Sequence, residues 1–231
     1  TNWVVPLGPN VNGFEEDLKH FVGNNKEVVA LSAGTAAVHL ALLACGVGPG
    51  DEVIVQSFTF CASSHPVTYL GATPVFVDSE ADTWNMDVSQ IESRITPRTK
   101  VIMPVHIYGH PVDMDPLLAI AKRYNLIVVE DAAEAHGAEC RGRKCGSLGH
   151  ISAWSFYANK ILTTGEGGMV LTADKKMAER ASSYRNLCFH PSRRFYHTEL
   201  GHNFRMTNLQ AAIGVAQMER IEEFVQIKRR L

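Results

Sequence analysis

Residues 115–131 read DPLLAIAKRYNLIVVED. The first eleven form a helix pattern, with Asp115 at its start and Pro116 in the first turn, where a missing N–H costs nothing. The next six, LIVVED, are an apolar run rich in β-branched residues that stops on two acids, the signature of a buried strand. A helix that feeds directly into a buried strand is half of a parallel-sheet unit. In open α/β sheets, ligands bind beyond the carboxyl ends of the strands. Asp131 therefore sits where a ligand would.

The same alternation extends in both directions. Upstream, 13–23 reads as an amphipathic helix and 34–46 as an apolar helix ending on Gly46. EVIVQ (52–56) is a strand after the turn GPGD, 61–71 a short helix closed by Gly71, and TPVFVD (73–78) and KVIMPVH (100–106) two more strands. Downstream, ISAWSFY (151–157) and GGMVLT (167–172) are strands around the loop ANKILTTGE. Helices follow over 174–186 and 207–231. Short apolar strands alternating with helices predict an α/β fold with a mainly parallel sheet. The last helix keeps its apolar face to the final residues without a stop signal, so the chain is expected to end inside a helix.

Composition narrows the classes. The 231 residues are 45% apolar and 20% charged, with formal net charge −2. This is a globular composition, and it carries no basic excess for nucleic acid or an anionic membrane. The most apolar stretch, 36–47, is about half a bilayer span. No leader pattern opens the chain at TNWVVPLGPN, and the absence of Met there suggests a missing start. Five scattered cysteines without a C-x-x-C pair read as reduced, buried thiols of a cytoplasmic protein.

Four features carry chemistry. SAGTAA (32–37) opens a helix, and free N–H groups at a helix start can hold phosphate, although most such turns are only caps. Asp131 is a carboxylate at a strand end, followed by the small pair Ala132 and Ala133. Lys160 stands between an aromatic-rich strand and a loop with three glycines. Burial there would leave its amine neutral and nucleophilic, as Schiff-base chemistry requires. Ser155, five residues earlier, is a candidate phosphate ligand. GHNFRMTN (201–208) precedes the last helix and, from the residues alone, is equally a cap. A phosphate cradle, a carboxylate and a lysine together match pyridoxal 5'-phosphate, whose ring becomes an electron sink when a carboxylate keeps its nitrogen protonated.

Seven segments carry a resemblance: SAGTAAVHLAL, GDEVIVQSFTF, LGATPVFVD, VHIYGHPVDMD, VVEDAAEAHGA, SFYANKILTTGEGGM and GHNFRMTNLQAAIG. In this order they resemble the DegT/StrS family of sugar aminotransferases from about Pro6 to the chain end. The resemblance implies a three-layer sandwich with a mainly parallel mixed sheet, the large domain of a fold type I PLP enzyme. It covers 1–231, and a smaller C-terminal domain would follow. By position, Lys160 would bind the cofactor covalently and shuttle protons, and Asp131 would pair with the ring nitrogen. Phe60 would stack on the ring and Ala133 pack against it, with Glu134 near the substrate or the ring hydroxyl. Gly34, Thr35, Ala36 and Ser155 would hold the phosphate. Asn203 would reach the phosphate of a second copy, which implies a homodimer. The implied reaction moves an amino group from L-glutamate to a nucleotide-linked keto-hexose, giving an amino sugar for surface polysaccharide or a glycosylated metabolite. Relatives that dehydrate carry His where this chain has Lys160. ANKILTTGEGG and AEAHGA resemble the branch that aminates C4 of a GDP-linked sugar.

Other readings remain at this stage. The chain could be a non-catalytic or regulatory member of the fold, or another fold type I PLP enzyme. A metal site is disfavoured, since Gly109 and Pro111 prevent His106 and His110 from sharing a helix face.

Overall fold

The computed structural model describes residues 4–6, 8–23 and 25–231. The opening Thr-Asn-Trp of the segment read as leader-free lies outside them. Among the described residues no helix is long and apolar enough to cross a membrane.

Seven strands form one sheet. They are β1 (Glu27–Leu31), β2 (Glu52–Gln56), β3 (Thr73–Val77), β4 (Thr99–Met103), β5 (Ile127–Asp131), β8 (Ile151–Ser155) and β9 (Gly168–Thr172). Two-residue strands β6 (Glu139–Cys140) and β7 (Arg143–Lys144) make a small hairpin, and β10 (Phe189–His190) and β11 (Arg193–His197) another. The sheet order is β1-β9-β8-β5-β4-β2-β3. From β8 through β5, β4 and β2 to β3 every pair is parallel, while β9 runs antiparallel to both its neighbours. The mainly parallel mixed sheet is therefore as the sequence implies.

Strand periodicity places the two faces. On β2, Val53 and Val55 pack toward α2 (Gly34–Ala44) and α6 (Lys175–Arg185), while Ile54 faces α5 (Met114–Tyr124). On β9, Val170 takes the first face. Met169 and Leu171 take the second, against α1 (Pro9–Val22), α7 (Asn208–Met218) and α8 (Ile221–Arg230). Two helical layers on one sheet make the three-layer sandwich. The short α3 (His65–Tyr69) and α4 (Ile91–Arg94) fill connections.

Several sequence expectations shift. Strand β1 was not legible as a strand, because five residues between a helix stop and a helix start give too short a pattern. The first helix begins at Pro9 rather than 13, with Pro9 in its first turn, and stops at Gly23, whose φ of 118° closes it. Asp113, not Asp115, occupies the N-cap position of α5. The terminal helix is two helices. Arg220, with φ −120°, leaves the helical region between α7 and α8. The break lets each segment bury a different face. α7 lies on α1 through Gly214, where a Cβ would stand 2.5 Å from the Phe14 ring. α8 turns Val225 onto Gly137.

Candidate active site

The carboxyl ends of β5 and β8 and the start of α2 converge on one cavity of about 390 Å³. Its walls include Gly34, Thr35, Phe60, Asp131, Ala133, Glu134, Ser155 and Lys160. Eight of the ten residues singled out in the sequence thus meet there. Ala36 lies buried one residue behind the wall. Asn203 does not line the cavity. It is exposed on its loop, where its Oδ1 accepts the Arg205 Nε–H at 2.9 Å.

The start of α2 has the character of an anion cradle. Ala33 is its N-cap, an extended residue whose side chain offers no acceptor, and no acidic residue stands in the first turn. The first amides of the helix therefore lack the usual capping partner. Gly34 packs so closely on β8 that a Cβ would sit 2.6 Å from the Ser155 Cβ. Glycine here lets the backbone approach Ser155, whose hydroxyl stands beside the helix start and accepts only a long 3.4 Å bond from the Tyr157 N–H.

Asp131 ends β5. It is buried, and its Oδ2 accepts the Ser63 hydroxyl at 2.7 Å while Oδ1 accepts the Ala133 N–H at 3.2 Å. Ser63 is in turn 2.8 Å from the Thr59 hydroxyl. Burial pushes the Asp131 carboxyl above the usual carboxylate range, against the pull of Ser63, the Ala133 N–H and Lys160. A cationic N–H placed against it would reverse that shift. Neither Ser63 nor Thr59 was visible from the sequence, since a serine in CASSHP has no pattern that distinguishes it.

Lys160 projects from the loop between β8 and β9. Its Nζ donates to Glu134 Oε1 at 3.3 Å, and the Tyr108 backbone N–H donates to Glu134 Oε2 at 2.8 Å. Phe60 stands 73% exposed at the mouth. Glu130, the neighbouring acid, points the other way. Fully buried, it accepts His106 Nε2 at 3.0 Å and the amides of Gly146, Leu148 and Gly149. Those bonds hold its carboxyl below the ordinary value despite its burial. His136 lies under the Lys160 loop, stacked on Trp154 with centroids 5.0 Å apart. Burial lowers its imidazole to about 3.

The residues present fit pyridoxal phosphate. An uncapped helix start with a hydroxyl beside it suits the phosphate, a buried carboxyl suits a pyridinium, and a lysine lines the same cavity. His106 and His110 take structural partners instead. His110 Nδ1 lies 3.2 Å from Asn85 Nδ2.

Known proteins agree with this architecture. The sequence matches the model of the DegT/DnrJ/EryC1/StrS aminotransferase family over residues 1–231. It is 51% identical over 231 residues to the GDP-perosamine synthase of Caulobacter vibrioides, spanning all of this chain and 62% of that relative. It is 46% identical to the GDP-perosamine synthase of Escherichia coli O157:H7, spanning all of this chain and 63% of that relative. The solved structure of DesV from S. venezuelae superposes with a TM-score of 0.90 at 42% identity, over 94% of this chain and 58% of that one. The chain thus spans about three fifths of the length of these relatives. Structural neighbours of this kind are fold type I PLP aminotransferases. The chain belongs to the DegT/DnrJ/EryC1/StrS aminotransferase family, whose cofactor is pyridoxal phosphate.

Proposed function

We propose that this chain is the cofactor-binding large domain of an aminotransferase that moves an amino group from L-glutamate to a nucleotide-linked keto-hexose. The carrying observation is one cavity that joins an uncapped helix start, a buried carboxyl and a lysine amine. When bound, pyridoxal phosphate supplies a carbonyl for amine exchange and a ring that accepts electrons.

Each residue then has a task. The Thr35 and Ala36 amides and the Ser155 hydroxyl hold the phosphate at the α2 start, where the helix dipole favours an anion. Asp131 would take the ring nitrogen and keep its proton in place, and Ser63 and the Ala133 N–H fix the carboxyl's orientation. Phe60 and Ala133 would pack on the ring. Lys160 holds the cofactor and carries protons at Nζ, and Glu134 orients that amine. Lysine at 160, an amine that can take the cofactor, supports transamination. The two relatives described as GDP-perosamine synthases support a GDP-linked sugar. Asn203, outside its own cavity, is read as serving the phosphate of a second copy. The functional protein is accordingly read as a cytoplasmic homodimer with a smaller C-terminal domain. Light scattering showing only a monomer would remove the shared-site claim.

The reading is tested by adding L-glutamate to the PLP-loaded protein and measuring 2-oxoglutarate. Stoichiometric release without any sugar is expected. A loaded protein that releases none contradicts the reading.

A further inference from the structure

Three exposed aromatic residues stand outside the cavity, and the chemistry above leaves them unused. Phe58 follows β2, Trp84 follows β3 and Tyr108 follows β4, so all three lie past the carboxyl ends of adjacent parallel strands. The Phe58 ring is 5.5 Å from Trp84 and 6.3 Å from Tyr108, centroid to centroid. Trp84 is 59% and Tyr108 79% exposed. Both hold left-handed backbones, with φ 65° and 52°, which bulky residues avoid unless surrounding bonds impose them.

Two buried amide side chains impose the arrangement. Asn85, next to Trp84, accepts the Ile107 N–H at 3.2 Å and donates to the His110 carbonyl at 3.0 Å and the Pro111 carbonyl at 3.3 Å. It ties the Trp84 turn to the Tyr108 turn. Gln56 donates to the Phe58 carbonyl at 2.9 Å and accepts the Val105 N–H at 3.2 Å. The Trp84 turn is closed further by Glu80, which accepts the amides of Asp82 and Thr83 at 2.7 Å each. The rings are thus set before any ligand arrives, which lowers the ordering cost of binding. The Tyr108 N–H also holds Glu134, so two hydrogen bonds through that one carboxylate link the group to Lys160.

We propose that Phe58, Trp84 and Tyr108 form a pre-set stacking seat for the base of the nucleotide half of the substrate. This rests on the nucleotide-sugar reading above. A second depression, lined by Tyr108, Glu134, Asn159 and Lys160, shares the last three of these walls with the cofactor cavity, so an open path leads from Lys160 out to Tyr108. A base at the outer end of that path meets the rings. Flat aromatic rings recognise any base face, and the exposed Asp82, two residues before Trp84, offers an acceptor to a base such as guanine that presents N–H donors. A subunit contact is a poorer fit, since a stable one needs on the order of 800 Å² per partner and three part-exposed rings supply less.

The test is calorimetric titration of the PLP-loaded full chain with GDP and, separately, with inorganic pyrophosphate. Trp84→Ala and Tyr108→Ala should each raise the Kd for GDP about tenfold, the loss expected for one stacked ring. Pyrophosphate binding should not change, and Trp84→Phe should restore GDP binding to within about threefold of the parent. No GDP binding by the parent, or GDP affinity equal to the parent's in both alanine variants, overturns the seat. A fall in light-scattering mass on Trp84→Ala with GDP affinity intact overturns it in favour of a contact between copies. The visible cofactor band, read on the same samples, reports separately on the catalytic reading. A band without GDP binding sinks the seat alone, and Trp84-dependent GDP binding without a band sinks the cofactor reading alone.

Discussion

Asp131 is held by the Ser63 hydroxyl and the Ala133 N–H in a site dry enough to raise its proton affinity. On the proposed reading, that carboxyl sits against a positive N–H. Asp131→Asn should preserve shape and cofactor retention but remove the counter-charge. Glutamate-dependent release of 2-oxoglutarate should then fall about a hundredfold or more, the scale of losing one fixed electrostatic partner in a site. An unchanged rate would refute the role. At this scale the sequence was informative where a residue sat at a recognisable junction. Asp131 ended a clear strand and Lys160 stood in a glycine-rich loop. Ser63 was hidden, because its partner lies 68 positions away and only the fold brings them to 2.7 Å.

The decisive element is the start of α2, packed on the end of β8. Its small residues were legible as a helix start, but not the reason for them. Gly34 has an ordinary backbone, and its lack of a side chain matters because Ser155 lies against it. Gly34→Ala must push the helix start and Ser155 apart. We expect PLP affinity to fall at least tenfold, measured by equilibrium dialysis, with a stability loss of about 1–3 kcal/mol in urea unfolding. Unchanged affinity would show that the cradle is not the phosphate site. Long periodic helices and the Val-rich central strands were readable because their pattern repeats. Strand β1 and the α7–α8 break were not. β1 is an edge strand recognised only by its pairing with β9, and the break reflects which surface each half of the helical run covers.

For the whole molecule, buried neutral histidines contribute to the response to acid. Burial lowers His136 from 6.5 to about 3 and His39 from 6.5 to about 4, with His202 adding to the effect on His39. The unfolded chain therefore takes up these protons first. The stability these two groups contribute is complete above about pH 6.5 and is lost as pH falls toward their folded values. His136 alone should remove about 2 kcal/mol between pH 7.5 and pH 5. Urea midpoints at the two pH values check this, and His136→Phe should shrink the difference between them. Equal midpoints for the parent would contradict the burial of a neutral imidazole. The mainly parallel sheet followed from the alternation of strands and helices, and the family followed from seven short segments in order. Where the base of the substrate rests did not, since Phe58, Trp84 and Tyr108 are 26 and 24 residues apart and meet only through buried Asn85 and Gln56. The central claim is that Lys160 is the amine that takes the cofactor. The direct measurement is an absorbance spectrum of the protein with PLP, then borohydride reduction and peptide mapping by mass spectrometry. The account predicts a visible band that reduction abolishes, with the pyridoxyl group on Lys160 and no band in Lys160→Ala. A folded protein without the band, or with the label on another lysine, would contradict it.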